Sequence, residues 1–230
     1  MTQYGNQPFC ILIVAKAPIP FRVKTRLCPP LSPEQAAEIA AAALLDTLGA
    51  SCEAVQGEGG AVIVALEGNL ADAARSAELI DALRGTTMLP QRGHSFGARL
   101  AHAHADAAAM RPGAPIIQIG MDTPQASARL LADSGRSLAE PGTDAVFGPA
   151  HDGGWWLLGL RDPHQARVLS DIPTSTPQTG LLTRRALERQ GLVVKPVDGL
   201  RDVDVWEDAQ AVAELCSHTQ FAQAVRQVAA

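Results

Sequence analysis

The sequence has few aromatic residues, little excess charge and no long apolar run. Aromatic residues make up 4% of the 230 positions, too few for a surface that stacks nucleic-acid bases. The net charge of −5 also argues against a general nucleic-acid binder, because such proteins carry a broad excess of basic residues. No run reaches the roughly 18 apolar residues that span a bilayer, and the run over 9–15 is short even for a signal peptide. We therefore expect a soluble, cytoplasmic protein with no membrane span.

Cysteine is scarce and widely spaced. The four cysteines form no CxxC pair and have no histidine at zinc-site spacing: Cys10, Cys28, Cys52 and Cys216. This spacing indicates neither a structural zinc site nor a disulfide framework. Reduced thiols, most of them buried, are the expected state in the cytosol.

Short apolar runs alternate with alanine-rich helical stretches, a pattern typical of a βαβ protein with a mainly parallel sheet. The sequence predicts strands over 9–15, 61–66, 86–89, 116–120, 145–147, 155–160 and 192–197. It predicts helices over 33–48, 70–83, 96–110 and 178–190, the first of them started by Ser32 and Pro33. No linker or repeat divides the chain, so a single α/β domain is predicted.

A concentrated basic loop follows the first predicted strand. The stretch AKAPIPFRVKTRL contains Lys16, Arg22, Lys24 and Arg26, and no acidic residue precedes Glu34. Ligands of open α/β sheets bind beyond the carboxyl ends of the strands, so this loop indicates a phosphate site. The alternative is a solvated basic loop, because charge runs are often plain surface.

A carboxylate follows the predicted strand over 116–120. In IIQIGMDTP, Gly120 allows close backbone approach, and Asp122 lies just past the strand end. A carboxylate at this position faces the ligand crevice and suits Mg²⁺ or Mn²⁺, which bind oxygen ligands together with substrate phosphates. The alternative role for Asp122 is a helix N-cap without a ligand.

A second site-like segment is GPAHDGGWWLLGL. Gly153 and Gly154 allow close backbone approach to a ligand and hold Asp152 at a strand entrance. Strand alternation places Trp155 and Trp156 on opposite faces, so at most one of them meets a ligand. Core packing of both tryptophans is the alternative.

Acidic residues crowd a short stretch near the end of the chain. They repel one another unless a cation or a helix N-terminus offsets them, and they surround one arginine, Arg201: Asp198, Asp202, Asp204, Glu207 and Asp208. Part of the stretch can cap a helix over VWEDAQAVAEL. The spacing alone leaves open whether any of these carboxylates binds metal.

Six segments, read together, resemble a bacterial family of predicted GT-A glycosyltransferases that was long classed as a domain of unknown function. In order they are AKAPIPFRVKTRL, QRGHSFGARLAHA, IGMDTP, GPAHDGGWWLLGL, IPTSTPQT and RDVDVWEDA. The family is similar in fold to nucleotidyltransferases such as molybdenum-cofactor and 2-phospholactate guanylyltransferases. The resemblance covers about 9–215 and implies a three-layer α/β/α sandwich with a mainly parallel sheet. We expect a GT-A-like domain over 8–217 and a C-terminal helical tail over 218–230.

The resemblance also implies roles for individual residues. Nucleotide binding falls to Ala15, Lys16, Lys24, Arg26, Gln91, Gly93 and Arg99, with Lys16, Lys24 and Arg26 of the first loop on the phosphates. Asp122 and Asp204 resemble the two metal-binding carboxylates, and the expected cofactor is Mg²⁺ or Mn²⁺. Asp152 faces the acceptor as the catalytic base, with Gly153 and Trp155 near the acceptor or sugar.

The chain departs from the family pattern at a few positions. Phe21 replaces a glycine of the first loop, Thr174 replaces a residue that is commonly aromatic, and His94 and Phe96 alter the QxGxDLG segment. Each change can alter the choice of nucleotide or acceptor.

Three functions remain in competition. The first is a metal-dependent glycosyltransferase that moves a sugar from a nucleotide-diphospho-sugar to a small-molecule acceptor. The second is a nucleotidyltransferase that joins an NTP to a phosphorylated or acidic small molecule. The third is a non-catalytic nucleotide-binding module, because fold similarity alone does not decide function.

Overall fold

Seven strands form one mixed sheet in the computed structural model, which describes residues 8–229. In chain order they are β1 (Cys10–Lys16), β2 (Ala61–Glu67), β3 (Thr87–Pro90), β4 (Ile116–Gly120), β5 (Ala145–Pro149), β6 (Trp155–Leu160) and β7 (Val194–Pro196). Their order across the sheet is β3-β2-β1-β4-β6-β5-β7. Strand β6 runs antiparallel to β4 and β5, and the other pairings are parallel. The predicted mainly parallel sheet is confirmed.

Helices cover both faces of the sheet. They are α1 (Pro33–Val55), α2 (Ser76–Ala82), α3 (Phe96–Met110), α4 (Ala128–Ala139), α5 (Thr179–Arg189), α6 (Trp206–Leu215) and α7 (Gln220–Ala229). The segments Thr25–Leu27, Leu70–Asp72, Leu83–Gly85 and Pro163–Asp171 are 3₁₀ helices. Within residues 8–229 no helix is long and apolar enough to cross a membrane.

Helix α1 begins where the sequence predicts and ends later. Ser32 Oγ accepts a hydrogen bond from Gln35 N at 3.2 Å, and Gln35 Oε1 accepts one from Ser32 N at 2.8 Å. This reciprocal capping box fixes the first turn. The helix continues past the predicted end at 48 because Ser51 and Ala54 are buried, and this packing outweighs the weak helix propensity of Gly49.

One other helical prediction needs correction, and one helix has no prediction. The single helix predicted over 70–83 is interrupted between Leu70–Asp72 and α2, where Arg75 takes a left-handed backbone with φ of 51°. Helix α4 was not predicted. Its start at Ser127, whose Oγ accepts from Leu130 N at 3.2 Å, carries only an ordinary capping signal in the sequence.

The sheet divides the core into two layers. Ile11, Ile13 and Ile117 pack against α1 and α4 on one face, while Leu12 and Leu158 pack against α3 on the other. This alternation follows from the two-residue period of a strand. The result is the predicted three-layer α/β/α arrangement, with α6 and α7 forming a further apolar cluster against α1.

The predicted C-terminal tail over 218–230 contains α7. Phe221 is fully buried against α1 and α6, and the Asp46 carboxylate accepts hydrogen bonds from the backbone N–H groups of Gln220 and Phe221. Ala230 lies outside the described residues. The boundary between 217 and 218 stays a prediction.

Candidate functional site

A cleft of about 650 Å³ opens at the carboxyl ends of β1 and β4. The loop after β1, the start of α3, the turn before β6 and the segment 202–204 form its walls. Most of the predicted site residues line it: Ala15, Lys16, Lys24, Arg26, Gln91, Asp122, Asp152, Trp155 and Asp204. Three do not: Gly93, Arg99 and Gly153. The sheet topology thus brings residues from both ends of the sequence to one edge.

Lys24 is the best-partnered cation of the site. Its Nζ lies 2.9 Å from Asp122 Oδ2 and 3.5 Å from Asp204 Oδ1, and it donates to the carbonyl of Val203 at 2.5 Å. The side chain is 11% exposed. Burial alone would lower the pKa of Lys24, but attraction to Asp122, Asp204 and Asp202 outweighs it, so the pKa is raised. The ammonium therefore stays charged and joins two predicted metal ligands.

The other cations of the basic loop are more exposed. Arg26 Nη1 lies 3.1 Å from Asp204 Oδ2, and Lys16 Nζ lies 3.6 Å from Glu67 Oε2. Arg22 lines the cleft and forms no ion pair with another residue in the range 8–229. The loop therefore presents positive charge to the cleft from Lys16, Arg22 and Arg26, in addition to the buried Lys24.

Three carboxylates cluster in the same cleft, next to the basic loop. One oxygen from each of Asp152, Asp202 and Asp204 lies within 4.8 Å of the other two. Burial and repulsion from Asp152 are the main causes that raise the pKa of Asp202 to about 6, with a smaller contribution from Asp204. An all-oxygen donor set of this kind fits Mg²⁺ or Mn²⁺. Of the two predicted metal ligands, Asp204 belongs to this cluster, whereas Asp122 pairs with Lys24.

Backbone hydrogen bonds hold the acidic segment in place. Val203 N donates to the carbonyl of Asp122 at 3.0 Å, and Leu200 N donates to that of Pro149 at 3.1 Å. These bonds tie the segment to the ends of β4 and β5. Val203 is buried, so Asp202 and Asp204 on either side of it project toward the cleft.

Helix α6 is capped by Asp208 and not by Asp204. The Asp208 carboxylate accepts from Asp204 N at 3.3 Å and from Val205 N at 3.2 Å, and Arg201 Nη1 lies 3.0 Å away. The Asp204 carboxylate instead contacts Lys24 and Arg26. The capping role that the sequence left open for Asp204 is therefore filled by another residue.

The segment around Asp152 combines a catalytic candidate with a structural glycine. Asp152 Oδ1 accepts from Gly154 N at 2.7 Å, which orients the carboxylate. Gly153 has φ of +89°, and a Cβ there would lie 2.1 Å from the carbonyl oxygen of Pro177. The backbone of Gly153 therefore lies close to the backbone of Pro177, and not to a ligand. Strand alternation places Trp155 and Trp156 against different core clusters, and both line the cleft, although Trp156 is only 3% exposed. Whether only one of them meets a ligand stays a prediction.

Gln91, Gly93 and Arg99, which are predicted to bind nucleotide, make contacts that support the cleft wall. Gln91 Nε2 donates to the carbonyls of Ala15 at 2.8 Å and Ala65 at 2.9 Å. Gly93, with φ of +133°, packs on the first turn of α3, where a Cβ would lie 2.9 Å from Arg99 N. Arg99 pairs with Glu67 at 2.5 Å. These contacts position the ends of β1 and β2, and the nucleotide roles of the residues stay predictions.

Sequence reasoning missed several residues of the cleft. Asp202 was noted only as part of the acidic run, although its alternation with Asp204 around the apolar Val203 is a signal for two carboxylates on one side. Gln118 and Thr123 line the cleft and are 2% and 3% exposed. Gln118 could have been identified as a candidate because it is the one amide side chain in the apolar strand IIQIG. The hydroxyl groups of Thr174, Ser175 and Thr176 gave no comparable signal.

A comparison with protein families shows to which family the chain belongs. Residues 48–176 match the model of the family DUF2064, described as "Uncharacterized protein conserved in bacteria". The chain belongs to this family. The matched part of this DUF2064 protein contains Gln91, Asp122 and Asp152, and it precedes the acidic segment. No protein with a curated description matches the sequence.

Solved structures share the fold of this DUF2064 protein. A protein from Desulfovibrio desulfuricans G20, provisionally named a nucleotide-diphospho-sugar transferase, has a TM-score of 0.80 at 23% identity over 95% of this chain and 94% of that one. A cytidylyltransferase from Leptospira borgpetersenii has 0.56 at 14% identity over 96% and 94%. The manganese complex of Rv0371c from Mycobacterium tuberculosis H37Rv has 0.51 at 19% identity over 90% and 98%. The chain therefore has the nucleotide-diphospho-sugar transferase fold.

Proposed function

We propose that this DUF2064 protein is a metal-dependent glycosyltransferase that moves a sugar from a nucleotide-diphospho-sugar to a small-molecule acceptor. The observation that carries the proposal is the meeting of a basic loop and a three-carboxylate cluster in one cleft of about 650 Å³. The loop suits a diphosphate, and the carboxylates suit a divalent cation. The name of the Desulfovibrio desulfuricans protein supports the same reading.

Mg²⁺ or Mn²⁺ fits the donor set of the cleft. Asp202 and Asp204 offer the ion only carboxylate oxygens, with Asp152 beside them left to act on the acceptor, and the manganese complex of Rv0371c supports such an ion in this fold. Bound there, the ion supplies positive charge that stabilises a diphosphate leaving group. Asp122 remains the proposed further ligand, and it must release Lys24 to take that role.

The chain's own residues supply the remaining chemistry. Arg26, Arg22 and Lys16 lie where cations lower the energy of the charge that develops on the departing diphosphate. The proposed nucleotide site extends from this loop past Ala15 and Gln91 toward Gly93 and Arg99. Asp152 acts as general base, because its carboxylate is oriented by Gly154 N and is exposed in the cleft.

The runner-up is a nucleotidyltransferase that joins an NTP to a phosphorylated or acidic small molecule. One observation favours it: Asp204 is free of the helix cap and lies with Asp152 and Asp202. Several carboxylates around metal suit attack at phosphorus, where ions neutralise both the attacking and the leaving oxygens. The third candidate, a non-catalytic module, binds nucleotide without turnover. A cytoplasmic location stays a prediction for all three.

A thermal-shift panel tests the proposal. UDP-, GDP-, ADP- and dTDP-sugars are compared with the matching NTPs, each with and without Mn²⁺, because a ligand that prefers the native state raises the unfolding temperature. The proposal expects a Mn²⁺-dependent shift that is larger for one nucleotide-sugar than for its NTP. A preference for an NTP favours the runner-up, and no shift with any nucleotide rejects both. Asp204→Asn should lose the shift, whereas Glu207→Gln, an exposed acid of the same segment, should keep it.

A further inference from the structure

Three side chains with hydroxyl groups line the cleft in the short loop that precedes α5. We call this loop, residues 173–177 with the sequence PTSTP, the hydroxyl loop. Its Thr174, Ser175 and Thr176 all line the cleft, and the loop contains no charged residue. The nucleotide, metal and acid–base roles proposed above use none of these residues.

A buried threonine braces the hydroxyl loop on both sides of Thr174 and Ser175. Thr179 is the first residue of α5, and its Oγ1 donates to the carbonyl of Pro173 at 2.9 Å and accepts from Thr176 N at 3.2 Å. The Thr176 and Thr179 hydroxyl oxygens are 3.2 Å apart and hydrogen-bonded to each other. The hydroxyl groups of Thr176 and Thr179 are therefore used to fix the loop.

The other two hydroxyl groups of the loop have no such use. Neither Thr174 nor Ser175 forms a hydrogen bond with another residue in the range 8–229. Ser175 is exposed and has φ of 59°, a left-handed backbone that costs energy in an L-residue. Strain of this kind persists where the surrounding structure imposes it, often to aim a functional group. The braced loop thus presents two preorganised hydroxyl groups to the cleft.

The hydroxyl loop packs against the turn that carries Asp152. Gly180 N donates to the carbonyl of Gly153 at 2.8 Å, and the carbonyl oxygen of Pro177 fills the space that a Cβ on Gly153 would take. Ser175 is two residues from Pro177, so their Cα atoms are at most about 7 Å apart. The two free hydroxyl groups therefore lie close to the proposed catalytic base.

In the proposed reaction, the sugar of the donor comes to the same place. One oxygen of Asp152 lies within 4.8 Å of oxygens of Asp202 and Asp204, which are proposed to hold the ion. The sugar is bonded to the diphosphate that contacts this ion, so it lies next to Asp152 and the hydroxyl loop. Trp155 also lines the cleft there, and its partly exposed indole suits the apolar C–H face of a sugar ring.

We infer that Thr174 and Ser175 bind the ring hydroxyl groups of the transferred sugar and thereby help to select it. This inference rests on the proposed glycosyl transfer. Hydroxyl groups of the sugar can donate and accept hydrogen bonds, as those of the two side chains can, so each pair can form in either direction. Because the loop is ordered before the ligand arrives, binding the sugar requires little further loss of conformational freedom.

The test compares each nucleotide-sugar with its own nucleoside diphosphate, because the two ligands differ by the sugar. The pairs are UDP-glucose and UDP, GDP-mannose and GDP, ADP-glucose and ADP, and dTDP-glucose and dTDP. Each ligand is titrated calorimetrically into the full chain with Mn²⁺. Thr174→Val and Ser175→Ala should each weaken nucleotide-sugar binding by about two- to tenfold, the effect of losing one neutral hydrogen bond. Both should leave nucleoside diphosphate binding unchanged, which also shows that they fold.

Two further variants serve as matched controls. Thr174→Ser retains the hydroxyl group, so it should keep the nucleotide-sugar affinity that Thr174→Val loses. Gln178→Ala should have no effect on either ligand, because Gln178 is exposed next to the hydroxyl loop and does not line the cleft. Ser175→Ala retains its Cβ and the left-handed backbone cost, so its unfolding temperature should equal that of the unmodified chain.

The outcomes separate this inference from the proposed function. Unchanged nucleotide-sugar affinity in both Thr174→Val and Ser175→Ala overturns the inference, and so does an equal loss of nucleoside diphosphate affinity. A loss of turnover with unchanged donor affinity would assign the two hydroxyl groups to the acceptor and also overturn it. If the unmodified chain binds no nucleoside diphosphate or nucleotide-sugar with Mn²⁺, the proposed function is rejected, and this inference with it.

Discussion

Lys24 Nζ lies 2.9 Å from Asp122 Oδ2, so a cation predicted to hold phosphate neutralises a carboxylate predicted to hold metal. The two side chains come from the loops after β1 and β4, which are neighbouring parallel strands. The same ammonium contacts Asp204 and the carbonyl of Val203. Lys24 therefore acts as a resident cation of the site, and it links the first loop to the C-terminal acidic segment.

Lys24→Met should lower the free energy of unfolding by about 1–3 kcal/mol. The change leaves Asp122 and Asp204 without their shared cation, and the cost is below that of a fully buried pair because both carboxylates are about one third exposed. Mn²⁺ should recover part of the loss by offsetting the same carboxylates. Urea unfolding with and without Mn²⁺ measures both effects.

Arg22→Met is the matched control for Lys24→Met. Arg22 lines the same cleft without an ion pair to other residues in the described range, so its loss should change stability by less than about 0.5 kcal/mol. Both variants should weaken nucleoside diphosphate binding more than nucleoside binding. Equal stability of the two variants would contradict the role of Lys24 as a resident cation.

Asp208→Ala should mainly lower the stability of the fold, whereas Asp204→Ala should mainly lower the affinity for Mn²⁺. Asp208 accepts from two backbone N–H groups at the start of α6, so its loss should cost about 1–2 kcal/mol. Asp204 caps nothing, and its loss should instead reduce Mn²⁺ affinity. Calorimetric titration with Mn²⁺ and thermal unfolding distinguish the two. Unchanged Mn²⁺ affinity in Asp204→Ala would remove it from the metal site.

Phe21→Gly should raise stability by about 0.5–1 kcal/mol. Phe21 has φ of 66° and is 73% exposed, so it adopts a left-handed backbone with little burial of its ring in return. That conformation costs an L-residue roughly 1–2 kcal/mol, and the extra entropy of unfolded glycine cancels part of the gain. Phe21→Ala removes the ring and keeps the backbone cost, so it should show no gain in the same denaturation measurement.

His104 should make the protein less stable as the pH falls below about 6.5. The pKa of the buried imidazole is lowered to about 3, so only the unfolded chain binds the proton between these values. Its contribution is fully present above pH 6.5, and about 2 kcal/mol of it is lost by pH 5. His104→Gln should flatten the pH dependence of unfolding. A slope unchanged in His104→Gln would contradict this account.

The strands could be predicted from the sequence because each is a short apolar run. The bounds of β4 and β6 match the prediction, since turn residues and glycines mark their ends. The length of α1 and the break before α2 could not be predicted. Helix α1 is longer than predicted because Ser51 and Ala54 pack in the core. The break before α2 occurs where Arg75 takes a left-handed backbone. Both depend on tertiary contacts that leave no local pattern.

The sequence predicts which segments form the site, but it does not predict which side chains pair with one another there. Sequence position brings Asp122 and Lys24 to the same sheet edge, yet only the fold shows that they pair with each other. Gly153 was expected to face a ligand, and its close neighbour is Pro177 of the following loop. The sequence did not identify Asp202 as a site residue. Its closeness to Asp152 joins segments 50 residues apart in sequence, and only the fold shows that distance.

Product analysis by mass spectrometry tests the central claim most directly. The protein is incubated with a cell extract, Mn²⁺ and either a nucleotide-sugar labelled in the sugar or a labelled NTP, with Asp152→Asn as the inactive control. Glycosyl transfer predicts a labelled sugar on an acceptor together with free nucleoside diphosphate, and neither product in the control. Release of pyrophosphate with the labelled nucleotide joined to the acceptor would contradict it.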